Sequence, residues 1–201
     1  DTVIINIKKL SISIFICNEQ KSQLKGTNAL KYIEWGEKQK TEKEVLWSEV
    51  PSVSGRKNWY SILSNDDTDL IIQRTFNDSY ICYYGGVGYS DRFYGIHTKE
   101  KESLCLFMNS TLFAFFAESL AKQGLGLGAL DLNVRELNKI PVLLVKTNKA
   151  KKLLEAYKKD NVFIKLGIDP TKPIREQEPK PLPDRAELDN IIFDELGLTK
   201  E

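Results

Sequence analysis

The sequence predicts an α/β (α+β) fold in which a mixed or antiparallel twisted sheet with hairpins packs on helices, followed by a helical C-terminal appendage. Two runs rich in β-branched and aromatic residues, Asp69–Phe76 and Ser79–Tyr84, flank an Asn-Asp turn, as in a hairpin. An apolar helix-forming run follows the capping residues Asn109 and Ser110. A stretch with five prolines then precedes a last amphipathic segment.

Composition restricts the classes of function. The chain has 201 residues, of which 41% are hydrophobic and 28% charged, as in ordinary soluble globular proteins. Lys and Arg number 29 against 28 Asp and Glu, so the formal net charge is only +1. The chain is therefore not a polycation, and any nucleic-acid contact must come from a local basic patch.

The cysteines and the hydropathy pattern exclude further classes. Cys17, Cys82 and Cys105 are widely spaced without a Cys-x-x-Cys pair, which predicts reduced core residues in a cytoplasmic protein rather than a zinc site or a disulfide framework. No apolar run reaches the roughly 20 residues that span a bilayer, so no membrane partner is expected. The chain starts at Asp1 directly in an apolar segment, and we expect it to be a fragment of a longer protein.

The first part of the chain alternates between apolar and polar segments. Thr2–Cys17 is rich in Ile with partial alternation and predicts one or two strands. Asn28–Trp35 predicts a short amphipathic helix that ends at Gly36, and the charged run Glu37–Glu44 predicts a solvated loop. From Val45 the sequence becomes aromatic and basic, and loops of this kind often carry function.

Glycines end the predicted hairpin. Gly85, Gly86 and Gly88 follow its second strand and are expected to break it. Arg92–His97 predicts another short strand, and Lys99–Phe107 predicts a helix.

The stretch Asn109–Pro141 predicts a scaffold of helix, glycine turn and short strand. The expected buried face of the helix is Leu112, Phe113, Phe115, Phe116 and Leu120. The helix should stop at Gly124, and Gly124, Gly126 and Gly128 are interpreted as structural turn residues with positive φ or a close approach to another segment. A phosphate-binding glycine loop would follow a strand and open a helix, and the reversed order here favours the turn.

The C-terminal part is predicted to be helical with a proline-rich linker. Asn148–Tyr157 predicts an amphipathic helix with a lysine-rich outer face, and Asp169–Pro183 cannot hold a helix. Asp184 with Glu187 resembles a capping box for a last helix, which Gly197 closes.

No catalytic residue or metal site is predicted. His97 is the only histidine, and its strand-like setting favours a structural role over that of a base. Metal ligands with suitable spacing are missing from the sequence. The Glu19–Lys21 tripeptide spells the Glu-x-Lys of restriction-type nucleases but lies in a polar loop.

Basic and aromatic residues are the candidates for nucleic-acid contact. Arg and Lys neutralise phosphates or read guanine edges, and aromatic rings stack on unpaired bases. The alternative is that Trp59 and Tyr60 fill the core and that Arg74 faces solvent. The predicted DNA-binding set is Lys38, Arg56, Lys57, Trp59, Tyr60, Arg74, Tyr84 and Arg92.

Several short motifs together resemble a known family. They are GRKNWY at Gly55–Tyr60, IIQR at Ile71–Arg74, LFMNSTLFAFF at Leu106–Phe116, LNKIPV at Leu137–Val142 and the tail Pro183–Thr199. In this order they resemble the C-terminal specificity region of adenine-specific DNA methyltransferases of type I and type II restriction-modification systems. The resemblance covers the chain from about Leu30 to its end.

The resemblance implies a specificity-domain-like fold and a role in target recognition on double-stranded DNA, with the contacts between about Lys38 and Arg92. Residues 1–27 would be the end of, or the bridge from, an N-terminal catalytic domain, residues 28–146 the target-recognition domain, and residues 147–201 a helical, proline-linked tail. S-adenosylmethionine and the Asn-Pro-Pro-Tyr motif would belong to the N-terminal methyltransferase domain of the same chain. This sequence has no such tetrapeptide, so the resemblance assigns no catalytic residue and no cofactor to it.

Other functions stay open at this stage. The aromatic loop and the prolines are also typical of a protein-protein interaction module within a multi-subunit complex, without direct DNA contact. An independent enzyme would need a pocket around His97. The sequence leaves open whether an endonuclease is fused to the parent protein.

Overall fold

The computed structural model describes residues 2–62, 68–123, 126, 128–146 and 148–198. Over these residues the fold is mixed α/β, with eight α-helices and two small antiparallel sheets of three strands each. The predicted fold class is therefore confirmed in this coarse form. The chain forms two compact units, Leu10–Asp66 and a larger one made of Asp1–Lys9 with Asp67–Glu201.

The smaller unit is built around one short helix. Helix α1, Asn28–Gly36, begins after Thr27, whose hydroxyl accepts from the backbone N–H of Leu30, and it confirms the predicted amphipathic helix. Helix α2 is the single turn Pro51–Ser54. A small core of Cys17, Leu24, Ile33 and Tyr60 holds the unit together.

The first sheet of the larger unit contains the predicted hairpin. Strand β1, Leu70–Gln73, lies between β3, Cys82–Tyr84, and β4, Phe93–Ile96, and pairs antiparallel with both. Leu70 is opposite Tyr84 on one side and Ile96 on the other. Strand β4 confirms the short strand predicted after the hairpin, and β3 ends at Tyr84, just before the glycines that were expected to break it.

The predicted first hairpin strand is divided at Arg74. Residues Thr75–Phe76 form β2, which belongs to a second sheet of order β2-β6-β5. In that sheet β5 is Lys122–Gln123 and β6 is Leu130–Asp131. The backbone of Arg74 bonds instead to Arg92 and to Leu132, which turns the chain from one sheet to the other.

Six helices complete the larger unit and cover its core. Their bounds are α3 Lys101–Met108, α4 Thr111–Leu120, α5 Val134–Leu137, α6 Ala150–Ala156, α7 Val162–Leu166 and α8 Pro183–Glu195. All residues of α3 from Ser103 to Met108 are buried. The C-terminal helices contribute Leu153, Leu154, Leu188 and Ile192 to the same apolar core as the sheet.

The predicted strands in Thr2–Cys17 are wrong. Thr2 and Ile4 make isolated bridges to Lys158 and Tyr84, Ile7–Lys9 is a 3-10 turn, and residues 10–17 have no regular structure. A β-prone sequence forms a ladder only where a partner strand lies beside it. The described residues place no strand next to residues 10–17.

Two helix ends differ from the prediction. Helix α4 ends at Leu120, not at Gly124, because the chain enters β5 at Lys122, and Phe115 on its predicted buried face is 63% exposed. Asp184 does not cap α8, since its carboxylate accepts from Lys158 and Lys165 and the cap position is Leu182.

The predicted positive φ of the glycine turn is confirmed at two glycines, but neither lies close to another segment of the chain. Gly126 and Gly128 both have φ of +76°, and an added Cβ would meet no atom within 4 Å at either position. Gly124 lies outside the described residues. The tightest approach is at Gly86, where an added Cβ would lie 2.0 Å from the carbonyl oxygen of Thr68.

Within the described parts of the chain, no single helix is both long enough and apolar enough to cross a membrane. Helices α3 and α4 taken together have that length and apolar composition, but the chain bends by 65° between them.

A buried charged network fastens α8 to the junction of α3 and α4. Arg185 and Asp189 are both buried, and Arg185 Nε lies 3.3 Å from Asp189 Oδ2. The Asp189 carboxylate accepts from the backbone N–H and the hydroxyl of Thr111 at the start of α4. Arg185 Nη1 donates to the carbonyl oxygen of Asn109 and, at 2.7 Å, to the hydroxyl of Tyr157.

Replacing Asp189 with Ala should lower the free energy of unfolding by about 3–5 kcal/mol, because Arg185 would stay buried without its counter-charge. Denaturant unfolding measures this loss. The matched control is Glu187→Ala on the exposed side of the same helix, for which we expect a change within about 0.5 kcal/mol. A loss for Asp189→Ala no larger than that of the control would contradict the role given to this network.

Candidate nucleic-acid interface

The predicted DNA-binding residues are divided between the two units. Those in the smaller unit are Lys38, Arg56, Lys57, Trp59 and Tyr60, and those in the larger unit are Arg74, Tyr84 and Arg92.

In the smaller unit, Tyr60 and Trp59 are held by internal contacts. The Tyr60 hydroxyl donates to the carbonyl oxygen of Glu19 at 2.7 Å, and burial raises the pKa of this buried side chain. The Trp59 indole N–H donates to Glu37 at 3.2 Å, and its ring lies so close to Gly36 that an added Cβ would meet it at 2.7 Å. Tyr60 thus belongs to the core, and Trp59 is partly buried beside it.

The three basic candidates of the smaller unit are exposed. Lys38 and Lys57 have no polar contact to another described side chain in the structure. Arg56 donates from Nη1 to the carbonyl oxygen of Ser61 at 2.8 Å, which holds the guanidinium in place and leaves its other N–H groups turned to solvent.

An apolar groove with a volume of about 400 Å³ lies beside Arg56. We call it the aromatic groove, because five of its lining side chains carry rings. These are Phe15, Tyr32, Trp47, Trp59 and Tyr60. The size is within the range of small-molecule sites, roughly 300–1,000 Å³.

In the larger unit, Arg74 is committed to an ion pair. Its Nε lies 3.0 Å from Asp131 Oδ1, and the Arg74 side chain is 41% exposed. The hydrogen bond to the Asp131 carboxylate raises the pKa of Arg74 above its usual range. Since Asp131 lies on β6, this contact joins the end of β1 to the second sheet.

Tyr84 is likewise occupied within the larger unit. Its hydroxyl donates to Glu102 Oε1 at 2.7 Å. Burial, with a smaller contribution from this bond, raises the pKa of Tyr84 to about 12. The same bond lowers the pKa of the Glu102 carboxyl. The contact links β3 to α3, and we interpret Tyr84 as a structural residue.

Arg92 differs from the other two because its exposed side chain borders an open cleft of about 660 Å³. We call it the polar cleft, since most of its lining side chains carry groups that can donate or accept hydrogen bonds. They include Gln73, Thr75, Asn77, Ser79, Arg92 and Asn161.

Some of these polar groups are already paired. Gln73 Oε1 accepts from the backbone N–H of Ile81 at 2.9 Å, and Asn161 Nδ2 donates to Asp78 at 3.3 Å. Asn77 and Arg92 are exposed, and neither side chain forms a hydrogen bond or ion pair with another described residue. They are therefore the two lining side chains best placed to meet a ligand.

Lys159 is a basic residue that the sequence did not reveal as a candidate. Its Nζ lies 5.8 Å from the centroid of the Tyr83 ring, which is 6.5 Å from the ring of Phe93. The bond from Val162 N–H to the Asp78 carbonyl, 2.7 Å, brings this distant segment to the hairpin turn. No sequence spacing predicts such a contact, so only the fold places Lys159 over the Tyr83 ring.

Among the described residues no group of three or more His, Cys, Asp or Glu side chains could hold a metal ion. All three cysteines are buried and free, and burial raises the pKa of the Cys17 and Cys82 thiols. His97, for which the sequence favours a structural role over that of a base, is exposed just after β4.

Comparison with protein-family profiles, curated proteins and solved structures finds no match to this chain.

The variants Arg74→Ala and Asp131→Asn separate a structural role of Arg74 from DNA contact. We expect each to lower the free energy of unfolding by about 0.2–1 kcal/mol, as for other half-exposed ion pairs. Duplex DNA binding should change equally little in both, because the two variants break the same ion pair. Thermal unfolding and fluorescence anisotropy measure the two effects. If Arg74→Ala weakens DNA binding and Asp131→Asn does not, Arg74 itself contacts DNA.

Proposed function

We propose that this chain binds double-stranded DNA in a sequence-specific manner, as the target-recognition part of an adenine-specific, S-adenosylmethionine-dependent DNA methyltransferase of a restriction-modification system. The observation that carries the proposal is the polar cleft, which Arg92 and Asn161 line, together with Lys159, two residues before Asn161, over the Tyr83 ring. The methyltransferase domain, its cofactor and the specificity-domain-like fold enter the proposal through the sequence resemblance alone.

The lining of the polar cleft suits the edges of bases. Asn and Gln amides pair with the N6 and N7 positions of adenine, and Arg pairs with O6 and N7 of guanine. Asn77 and Arg92 supply one side chain of each kind, both exposed and without a described partner. In this proposal they read bases, while Gln73 and Asn161 shape the cleft through their internal bonds.

Lys159 supplies a charge for the DNA backbone. Phosphate contacts from Lys and Arg provide much of the affinity of DNA-binding proteins and make it dependent on salt. The chain as a whole carries a net charge of only +1, so a local group of cations has to provide this affinity. Lys38, Arg56 and Lys57 stay candidates for further phosphate contacts from the smaller unit.

A protein-protein interaction module is the second candidate function. The aromatic groove favours it, since exposed apolar surface of this kind is typical of partner contacts. The near balance of charge favours it too, because the segment Leu10–Asp66 holds eight Lys and Arg against seven Asp and Glu and therefore has no excess of cations for a phosphate backbone. Under this alternative the smaller unit engages a partner subunit and DNA makes no direct contact.

Lys159→Ala and Arg92→Ala should weaken duplex binding in different ways. We expect Lys159→Ala to weaken binding of all sequences evenly and to reduce the slope of log K against log salt by about 1, as for one lost phosphate contact. Arg92→Ala should cost about 1–3 kcal/mol on preferred duplexes and less on others, as for one lost base contact. Fluorescence anisotropy over a duplex library at several salt concentrations measures both.

The matched control is Lys152→Ala, which removes an exposed lysine of α6 that lines neither the polar cleft nor the aromatic groove. It should bind as the unchanged protein does. Duplex binding that is absent or independent of salt would contradict the proposed function. If Lys152→Ala and Lys159→Ala lower the affinity for duplex DNA equally, the effect comes from overall charge, and the proposal that DNA binds at the polar cleft is contradicted.

A further inference from the structure

Four aromatic side chains of the smaller unit form a continuous series of ring contacts, which we call the aromatic ladder: Phe15, Tyr32, Trp35 and Trp47. Consecutive ring centroids are 5.0, 5.5 and 5.5 Å apart. Tyr32 and Trp35 are three residues apart on one face of α1 and are stacked at an angle of 25°. The ladder is therefore a surface of rings that hold one another in place.

Much of the ladder is open to solvent. Tyr32 is 51% exposed, Trp35 48% and Trp47 36%. Rings of this size are normally buried for most of their area, since each represents a large apolar surface. These three rings are not part of the buried core of the unit, which consists of Cys17, Leu24, Ile33 and Tyr60.

Phe15, Tyr32 and Trp47 of the ladder line the aromatic groove together with Trp59. The bond from Trp59 to Glu37 and the missing side chain at Gly36 fix the position of that indole. Arg56 lines the same groove, with its guanidinium anchored to the carbonyl oxygen of Ser61. The groove thus offers flat apolar walls and one anchored cation.

We infer that the aromatic groove and ladder bind unstacked nucleobases of single-stranded DNA, with Arg56 on the adjoining phosphate. Aromatic side chains provide stacking faces for successive bases in proteins that bind single strands, and this recognition tolerates any sequence. The choice of ligand rests on the proposed function, because a protein that acts on one base of a duplex must hold strands that are locally unpaired.

The charges around the ladder set the expected salt dependence. Lys31 and Glu34 are both exposed on α1, and the smaller unit as a whole holds eight Lys and Arg against seven Asp and Glu. Cations and anions nearly cancel there, so stacking and the single contact of Arg56 must supply the affinity. Binding of single strands should therefore depend less on salt than duplex binding at the polar cleft does.

The three tryptophans of the chain, Trp35, Trp47 and Trp59, all lie in the smaller unit, so intrinsic fluorescence reports on this surface alone. The test titrates the whole chain with an oligothymidylate of about 12 nucleotides, within the range of single-strand site sizes. We expect saturable quenching. Raising salt from about 50 to about 200 mM should weaken binding less than about tenfold, as for a single phosphate contact.

Trp47→Leu should weaken oligothymidylate binding by roughly tenfold, because one stacking face is lost while an apolar side chain is kept. Tyr32→Leu, at a more exposed position, should have a similar effect and covers the case in which Trp47→Leu fails to fold. The matched control is Phe115→Leu, which removes an exposed ring from α4 of the larger unit and should leave binding unchanged.

The outcomes separate this inference from the proposed function. Salt-dependent duplex binding without quenching by the oligothymidylate would overturn the inference alone. Quenching with no duplex binding would support the inference and contradict the proposed function. If Trp47→Leu leaves oligothymidylate binding unchanged but converts an oligomer to a monomer in sedimentation, the ladder is an interface between copies of the chain and the inference is wrong.

Discussion

The fold of the larger unit depends on the buried contact between Arg185 and the carbonyl of Asn109. Asn109 directly follows α3, and its side chain makes four further hydrogen bonds. It accepts from the backbone N–H of Cys82 and donates to the carbonyl oxygens of Cys82 and Cys105 and to the sulfur of Cys105. One asparagine thereby connects the last helix, the helix junction and strand β3. Because these groups are buried, each lost partner would leave a polar atom unsatisfied, which costs more than the bond itself contributes.

The same helix α8 fixes the segment that forms one side of the polar cleft. Asp184 in its first turn accepts from the backbone of Lys158 at 3.1 Å and from Lys165 Nζ at 2.6 Å. The Lys165 ammonium also lies 4.3 Å from the centroid of the Tyr157 ring. These contacts hold residues 158–165 against the hairpin turn, so the position of Lys159 depends on a helix far away in sequence.

Local patterns in the sequence predict the elements that local interactions determine. Ser110 caps α4 through its bond to Phe113, and the left-handed Gly197 ends α8, as the sequence indicates. The predictions of N-terminal strands and of a cap at Asp184 were wrong, because each structure depends on residues that only the folded chain brings into contact. Thr2–Cys17 has the composition of a strand but no described partner, and Asp184 is drawn to two lysines that only the fold brings near.

The candidate site shows the same limit. Charge and ring type identify Arg92 and Arg56, yet the sequence gives no sign that Arg74 is paired with Asp131 or that Lys159 lies over Tyr83. Nuclear magnetic resonance titration with a mixed-sequence duplex tests the account most directly. We predict that the shifted backbone amides cluster at residues 75–79, 90–93 and 158–161 around the polar cleft. Amide shifts confined to other surfaces, or no shifts on adding duplex, would contradict it.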